Sequence, residues 1–125
     1  AQRAAHALSC FAARGRPLPV RCAFRHWAPE TPLEPDRYGI PTPMAGEWLI
    51  PDLILLPLNG FDGEGYRLGY GGGYFDRTLA ALTPRPLAVG VGFEINRLPS
   101  IRPESHDQRL DWLVTEAAAV RVGGV

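Results

Sequence analysis

The run Leu53-Ile54-Leu55-Leu56, closed on either side by Pro51 and Pro57, has no polar position to turn toward water. A short, continuous apolar run of this kind suits a strand covered on both faces. A glycine-rich segment follows it. Tyr74 to Leu82 then predicts a helix that stops before Pro84, because proline pushes the residue before it out of helical conformation. Leu87 to Phe93 is a second apolar run, and Leu113 to Val120 a third, although the Ala-rich part of the third also suits a helix. Strand, glycine turn, helix, strand is a βαβ pattern. The expected class is therefore α/β, with a mostly parallel sheet flanked by helices.

Upstream, the apolar residues from Ala4 to Phe11 recur with helical spacing, and Gly15 with Pro17 is a stop signal, which predicts a helix ending near Arg14. Leu18 to Trp27 reads as a strand closed by Pro29, Pro32 and Pro35. Ala28 to Gly46 is rich in Pro and Gly and reads as an ordered surface connection, in which Tyr38 and Ile40 are expected to be buried.

A chain of 125 residues with 46% apolar content fits one domain, residues 1–125. Thirteen basic and thirteen acidic residues cancel, which argues against nucleic acid or an anionic membrane as a partner. No apolar run approaches the roughly 20 residues that cross a bilayer, and the start lacks a signal-peptide pattern. A cytoplasmic location is expected. Cys10 and Cys22 are too few for a disulfide framework and have no zinc-site spacing, so both read as packed thiols in a reducing compartment.

The chemistry concentrates between Gly65 and Arg77. Glycine allows positive φ and close backbone approach, so Gly69, Gly71, Gly72 and Gly73 suit a phosphate cradle at a helix N-terminus; taken alone they suit a tight turn equally well. The spacing is neither a Walker loop nor GxGxxG. Arg67 before the glycines and Asp76 after them favour the cradle, since Arg forks onto phosphate oxygens and Asp can hold Mg²⁺.

Pro51-Asp52-Leu53-Ile54-Leu55-Leu56-Pro57-Leu58, Phe61-Asp62 and the stretch GYRLGYGGGYFDR from Gly65 resemble the signature region of the 5-formyltetrahydrofolate cyclo-ligase family. Val89-Gly90-Val91-Gly92-Phe93, Leu98-Pro99, His106-Asp107, Leu110-Asp111 and Val114-Thr115-Glu116 continue in the family's order. Gly15 with Pro19, Phe24-Arg25 with Trp27, Tyr38-Gly39-Ile40 and Pro43 extend the likeness upstream, while Thr42 stands where many members carry Glu. The family's N-terminal portion, with a basic nucleotide-contacting helix and a folate-contacting Glu, has no counterpart here. The expectation is an N-terminally truncated, Rossmann-like three-layer domain.

The resemblance implies that Arg67, Leu68, Gly69, Tyr70, Gly71, Gly72, Gly73, Tyr74 and Phe75 wrap ATP, and that Tyr70 to Tyr74 also border the folate. It further implies that Asp76 and Asp107 hold Mg²⁺. The implied reaction uses ATP to phosphorylate the formyl oxygen of 5-formyltetrahydrofolate; N10 then closes on the activated carbon to give 5,10-methenyltetrahydrofolate, ADP and phosphate. No side chain is assigned as a catalytic nucleophile or base, because positioning and charge neutralisation suffice. A full-length monomer is expected.

Other residues have plainer readings. His106 reads as an exposed loop histidine, Asp62, Glu64 and Asp111 as turn or solvated carboxylates, Phe24 and Trp27 as half-buried strand aromatics, and Trp48 and Trp112 as packing. Two other functions compete: a non-catalytic nucleotide-binding or regulatory module, and a related α/β enzyme handling a sugar phosphate or CoA. Tyr74, Asp76 and Asp107 together favour the cyclo-ligase, because a bare phosphate turn needs only the glycines and Arg67.

Overall fold

The structure is a computed structural model that describes residues 6–10, 23–35, 39–68 and 74–122, without the side chains of 6–10 and Tyr74. Gly69, Tyr70, Gly71, Gly72 and Gly73, as well as Gly15, Pro17, Pro19, Cys22 and Tyr38, lie outside the described residues. The elements run β1 (His6–Cys10), β2 (Ala23–Trp27), β3 (Leu33–Pro35), β4 (Pro41–Pro43), β5 (Trp48–Leu49), β6 (Leu53–Pro57), β7 (Phe61–Asp62), α1 (Tyr74–Ala81), β8 (Leu87–Val91), a 3₁₀ turn (Glu94–Asn96), β9 (Arg97–Leu98), β10 (Trp112–Val114) and β11 (Ala119–Arg121). They fall into two compact units, Ala1–Pro51 and Asp52–Val125.

In the first unit β1 pairs antiparallel with β2, from His6 opposite Trp27 to Cys10 opposite Ala23, and β5 lies on the far side of β2. The helix expected from Ala4 to Arg14 is therefore a strand over His6–Cys10. So short a helix is marginal by itself, whereas the strand gains a five-residue ladder with β2. The described parts of the Pro-rich stretch that follows, 28–35 and 39–46, carry the antiparallel pair β3–β4 with Glu34 opposite Thr42. Ile40 is 47% exposed, so its expected burial does not occur. Arg25 ties the stretch down: its Nε donates to the Gly46 carbonyl at 2.9 Å, and its guanidinium lies 5.0 Å from the Trp48 ring centroid.

The second unit is an α/β fold built on a mixed sheet in the order β11-β10-β8-β6, in which β6, β8 and β10 are parallel and β11 returns antiparallel. The third apolar run is thus two strands. Thr115 N–H donates to the Ala118 carbonyl at 2.9 Å and turns the chain between them. Register places Ile54, Leu56, Ala88, Gly90 and Leu113 on one face, and all are buried. Leu58 and Leu110 cap Gly90, where an added Cβ would meet their methyls at 2.7 and 2.6 Å. Helix α1 forms where predicted and buries Thr78 and Leu79.

The opposite face differs from expectation. Leu53, Leu87 and Val91 are exposed, and Leu55 is 65% exposed. Among the described residues the apolar run of β6 is thus covered on one face, and α1 is the only α-helix. Continuous hydrophobicity reports what a strand can bury; the layers actually available decide what it does bury.

Asp111 sets the start of β8. Its Oδ2 accepts from Ala88 N–H at 2.8 Å and from Arg85 Nη1 at 2.7 Å, while its own N–H donates to the Ala88 carbonyl.

Candidate functional site

Parallel strands deliver their loops to one edge, and in open α/β sheets ligands bind beyond the carboxyl ends of the strands. The chain leaving β6 turns through Gly60–Leu68 at that edge. Asp62 N–H donates to the Tyr66 carbonyl at 3.0 Å and Leu68 N–H to the Gly60 carbonyl at 2.8 Å, while Phe61 and Arg67 form an antiparallel bridge. Gly65 has φ +89°, and Leu110 and Arg109 stand against it, so a tight left-handed turn here calls for glycine. The result is a short, stiff arm that presents Arg67 and Leu68 just before the glycine segment.

Arg67 and Asp76 meet across the ends of that segment at 3.1 Å, with side chains 7% and 14% exposed. The guanidinium also lies 5.5 Å from the Phe75 ring centroid. Asp76 sits in the first turn of α1, where the helix dipole favours a negative charge. Its Oδ1 accepts a second hydrogen bond, from Gln108 N–H at 2.9 Å. Because guanidinium carries five N–H donors, the bond to Asp76 leaves others to turn toward an anion. Of the residues expected to act together, Arg67, Phe75 and Asp76 are thus in contact, Leu68 is exposed, and Tyr74 opens α1.

Asp107 precedes Gln108, so the backbone of the second expected metal ligand lies beside the Asp76 carboxylate. Its own carboxylate closes a local turn: Oδ2 accepts from Glu104 N–H at 2.8 Å, and Asp107 N–H returns to the Glu104 carbonyl at 3.0 Å. His106 is 66% exposed, 3.6 Å from Asp107 and 3.4 Å from Glu104, in line with its reading as a loop histidine. Among the described residues no group of three or more His, Cys, Asp or Glu gathers as a metal cage. The hydrogen bonds given above do not use Asp76 Oδ2, and Asp107 Oδ1 has only the exposed His106 Nε2 at 3.6 Å, so both oxygens can turn to a cation. One or two carboxylates completed by phosphate oxygens and water are a usual way to bind Mg²⁺. The donor set fits that kind of site.

Two features were missed in the residue pattern. Asp62 is a turn residue, as expected, but it is buried rather than solvated. The signal was its place in Asp62-Gly63-Glu64-Gly65, where a short acceptor side chain can bond the backbone two residues on. The other is the 3₁₀ turn after β8. Arg97 forks onto Glu94 at 2.7 and 2.9 Å, Thr115 Oγ1 donates to Glu94 at 3.0 Å, and Arg97 lies 5.1 Å from the Phe61 ring centroid.

The bonds from Arg97, and next from Thr115, hold the Glu94 carboxyl at about 2 rather than 4.5. A carboxylate with a depressed pKa stabilises the fold above its unfolded value, and that stabilisation is lost as pH falls from about 4.5 through about 2. An NMR titration of the Glu94 side chain is expected to show a midpoint near 2, moving up toward 4.5 in Arg97→Ala. An unmoved midpoint would remove Arg97 as the cause.

The sequence model of the 5-formyltetrahydrofolate cyclo-ligase family matches residues 20–116. A 5-formyltetrahydrofolate cyclo-ligase of Haemophilus influenzae is 31% identical over 90 residues, covering 67% of this chain and 48% of the relative. One of Mus musculus is 36% identical over 69 residues, covering 52% of this chain and 34% of the relative. The NMR structure of Aquifex aeolicus 5,10-methenyltetrahydrofolate synthetase superposes with a TM-score of 0.74 at 31% identity, covering 95% of this chain and 60% of that one. The chain spans about half the length, or less, of these curated relatives.

Proposed function

Because this chain belongs to the 5-formyltetrahydrofolate cyclo-ligase family, we propose that it binds MgATP along Arg67 to Phe75 and serves the ATP-dependent cyclisation of 5-formyltetrahydrofolate to 5,10-methenyltetrahydrofolate. The observation that carries this reading is the Arg67–Asp76 pair, which joins the two ends of the glycine segment at the carboxyl edge of the sheet. The glycines between them offer backbone N–H groups to phosphate, and Tyr70 to Tyr74 border the folate. Asp76 and Asp107 would hold Mg²⁺, which supplies positive charge to the phosphate oxygens.

In the proposed reaction the γ-phosphoryl group passes to the formyl oxygen, releasing ADP and converting a poor leaving group into phosphate. N10 attacks the formyl carbon, loses its proton, and phosphate departs. The chain's residues orient the two substrates and neutralise charge; none forms a covalent intermediate. The same proposal takes residues 1–125 as belonging to one Rossmann-like three-layer domain. It also takes the protein as a cytoplasmic monomer without nucleic-acid or membrane partners.

Titration of MgATP into the chain and into Gly72→Val is the direct test. A Cβ at Gly72 blocks close backbone approach, so the variant should bind more weakly with its fold intact. Unchanged affinity would overturn the cradle. Methenyl absorbance with both substrates, measured on the chain joined to the family's N-terminal portion, then separates the enzyme from a nucleotide-binding module, which would bind MgATP but form no product.

A further inference from the structure

We infer that Asp62 is a positioning residue for the nucleotide site, one of two carboxylates that couple the arm before the glycine segment to the loop carrying Asp107; this rests on the MgATP reading above. Asp62 is 1% exposed. Its Oδ1 accepts from Glu64 N–H at 3.0 Å and Tyr66 N–H at 3.1 Å, both on the arm. Its Oδ2 accepts from Ile101 N–H at 3.2 Å, at the start of the Asp107 loop. A buried charge is costly unless donors meet it, and here backbone N–H groups from both segments do so.

Asp76 repeats the arrangement at the far end of the same two segments. It takes Arg67 from the arm and Gln108 N–H from the loop. Residues 62–67 and 101–108 are therefore pinned together twice, once near the root and once beside the expected metal ligands. Between the pins, Arg102 has φ +54°, a left-handed conformation unusual for a non-glycine residue, with its N–H bonded to Ser100 Oγ at 3.0 Å. Such a conformation persists only where its surroundings over-determine it. The Ile101–Asp62 bond on one side and the Glu104–Asp107 turn on the other provide that constraint. A displaced Asp62 pin would thus shift Gln108 and, through it, Asp76.

The test is Asp62→Asn, which keeps the side-chain shape but gives up at least one of the three acceptor contacts. MgATP affinity by calorimetry is expected to fall about tenfold, as is usual when a group supporting a ligand-binding residue is changed. Amide exchange should rise at Gln108 together with Ile101, while β8 keeps its protection. A carboxylate that merely supports the fold would lower Tm and leave both the affinity, measured well below Tm, and Gln108 exchange unchanged; that result overturns the inference. If the variant does not fold, the native chain decides, since MgATP must slow exchange at Ile101 and Gln108 together, and protection of Gln108 alone refutes the coupling. If the native chain binds no MgATP, the proposed function fails, and the coupling then stands or falls on whether Gln108 loosens with Ile101 in the variant.

Discussion

Asp76→Ala is expected to lose about 3 kcal/mol of stability and about a hundredfold in ATP-dependent turnover. The stability loss follows from what remains behind. Arg67 is almost fully enclosed, so removing Asp76 leaves a buried guanidinium without its carboxylate and also strips Gln108 N–H of its acceptor. Breaking one side of a buried pair costs more than replacing both sides with apolar groups. Arg67→Met/Asp76→Leu should therefore recover much of the stability in urea denaturation while methenyl formation stays at the level of the single variant. The turnover loss has a separate origin, in the misplacement of the glycine segment and of the Asp107 loop by an ångström or so. Equal stability of the single variant and the native chain would show that the Arg67–Asp76 pair holds nothing together. Recovery of turnover in the double variant would take Asp76 out of the site.

Phe61→Ala should be the most damaging core substitution, at about 4 kcal/mol and roughly 15 °C in Tm. Phe61 has no exposed surface. Its ring edge lies against Gly92, where an added Cβ would sit 3.6 Å from Cε1, and the Arg97 guanidinium lies 5.1 Å from its centroid. Its backbone pairs with Arg97 on one side and bridges Arg67 on the other. The cavity would open under three segments at once, with little freedom to collapse. Phe61→Leu, which refills most of that volume, should lose much less. A loss below about 1 kcal/mol for the alanine variant would mean that the site closes by repacking.

The parallel part of the second unit was legible because β6 and β8 are apolar runs broken by proline and glycine, and because Tyr74 to Ala81 carries a helical pattern up to a proline. His6–Cys10 was misread, since the eight-residue window from Ala4 to Phe11 is too short to separate two periodicities and only its partner, β2, distinguishes them. The open face of β6 was illegible for a related reason: a strand's composition contains no record of which layers exist. At the site, Arg67 and Asp76 were recognisable by their flanking positions. Gln108 was not, because it contributes a backbone N–H, a group every residue except proline carries. Asp62 looked like one more surface turn, and the partner of its Oδ2, Ile101 N–H, lies 39 residues away.

That distance bears on the order of assembly. Asp62 joins Ile101 across 39 residues and Asp76 joins Gln108 across 32, so both bonds close long loops. Loop closure of this span is entropically expensive and is rewarded late, after local turns and the hairpin β10–β11 have formed. Contacts absent from the folding transition state act on the rate of unfolding rather than on the rate of folding. A nucleotide held between these two loops would therefore leave the refolding rate nearly unchanged and lengthen the lifetime of the native chain.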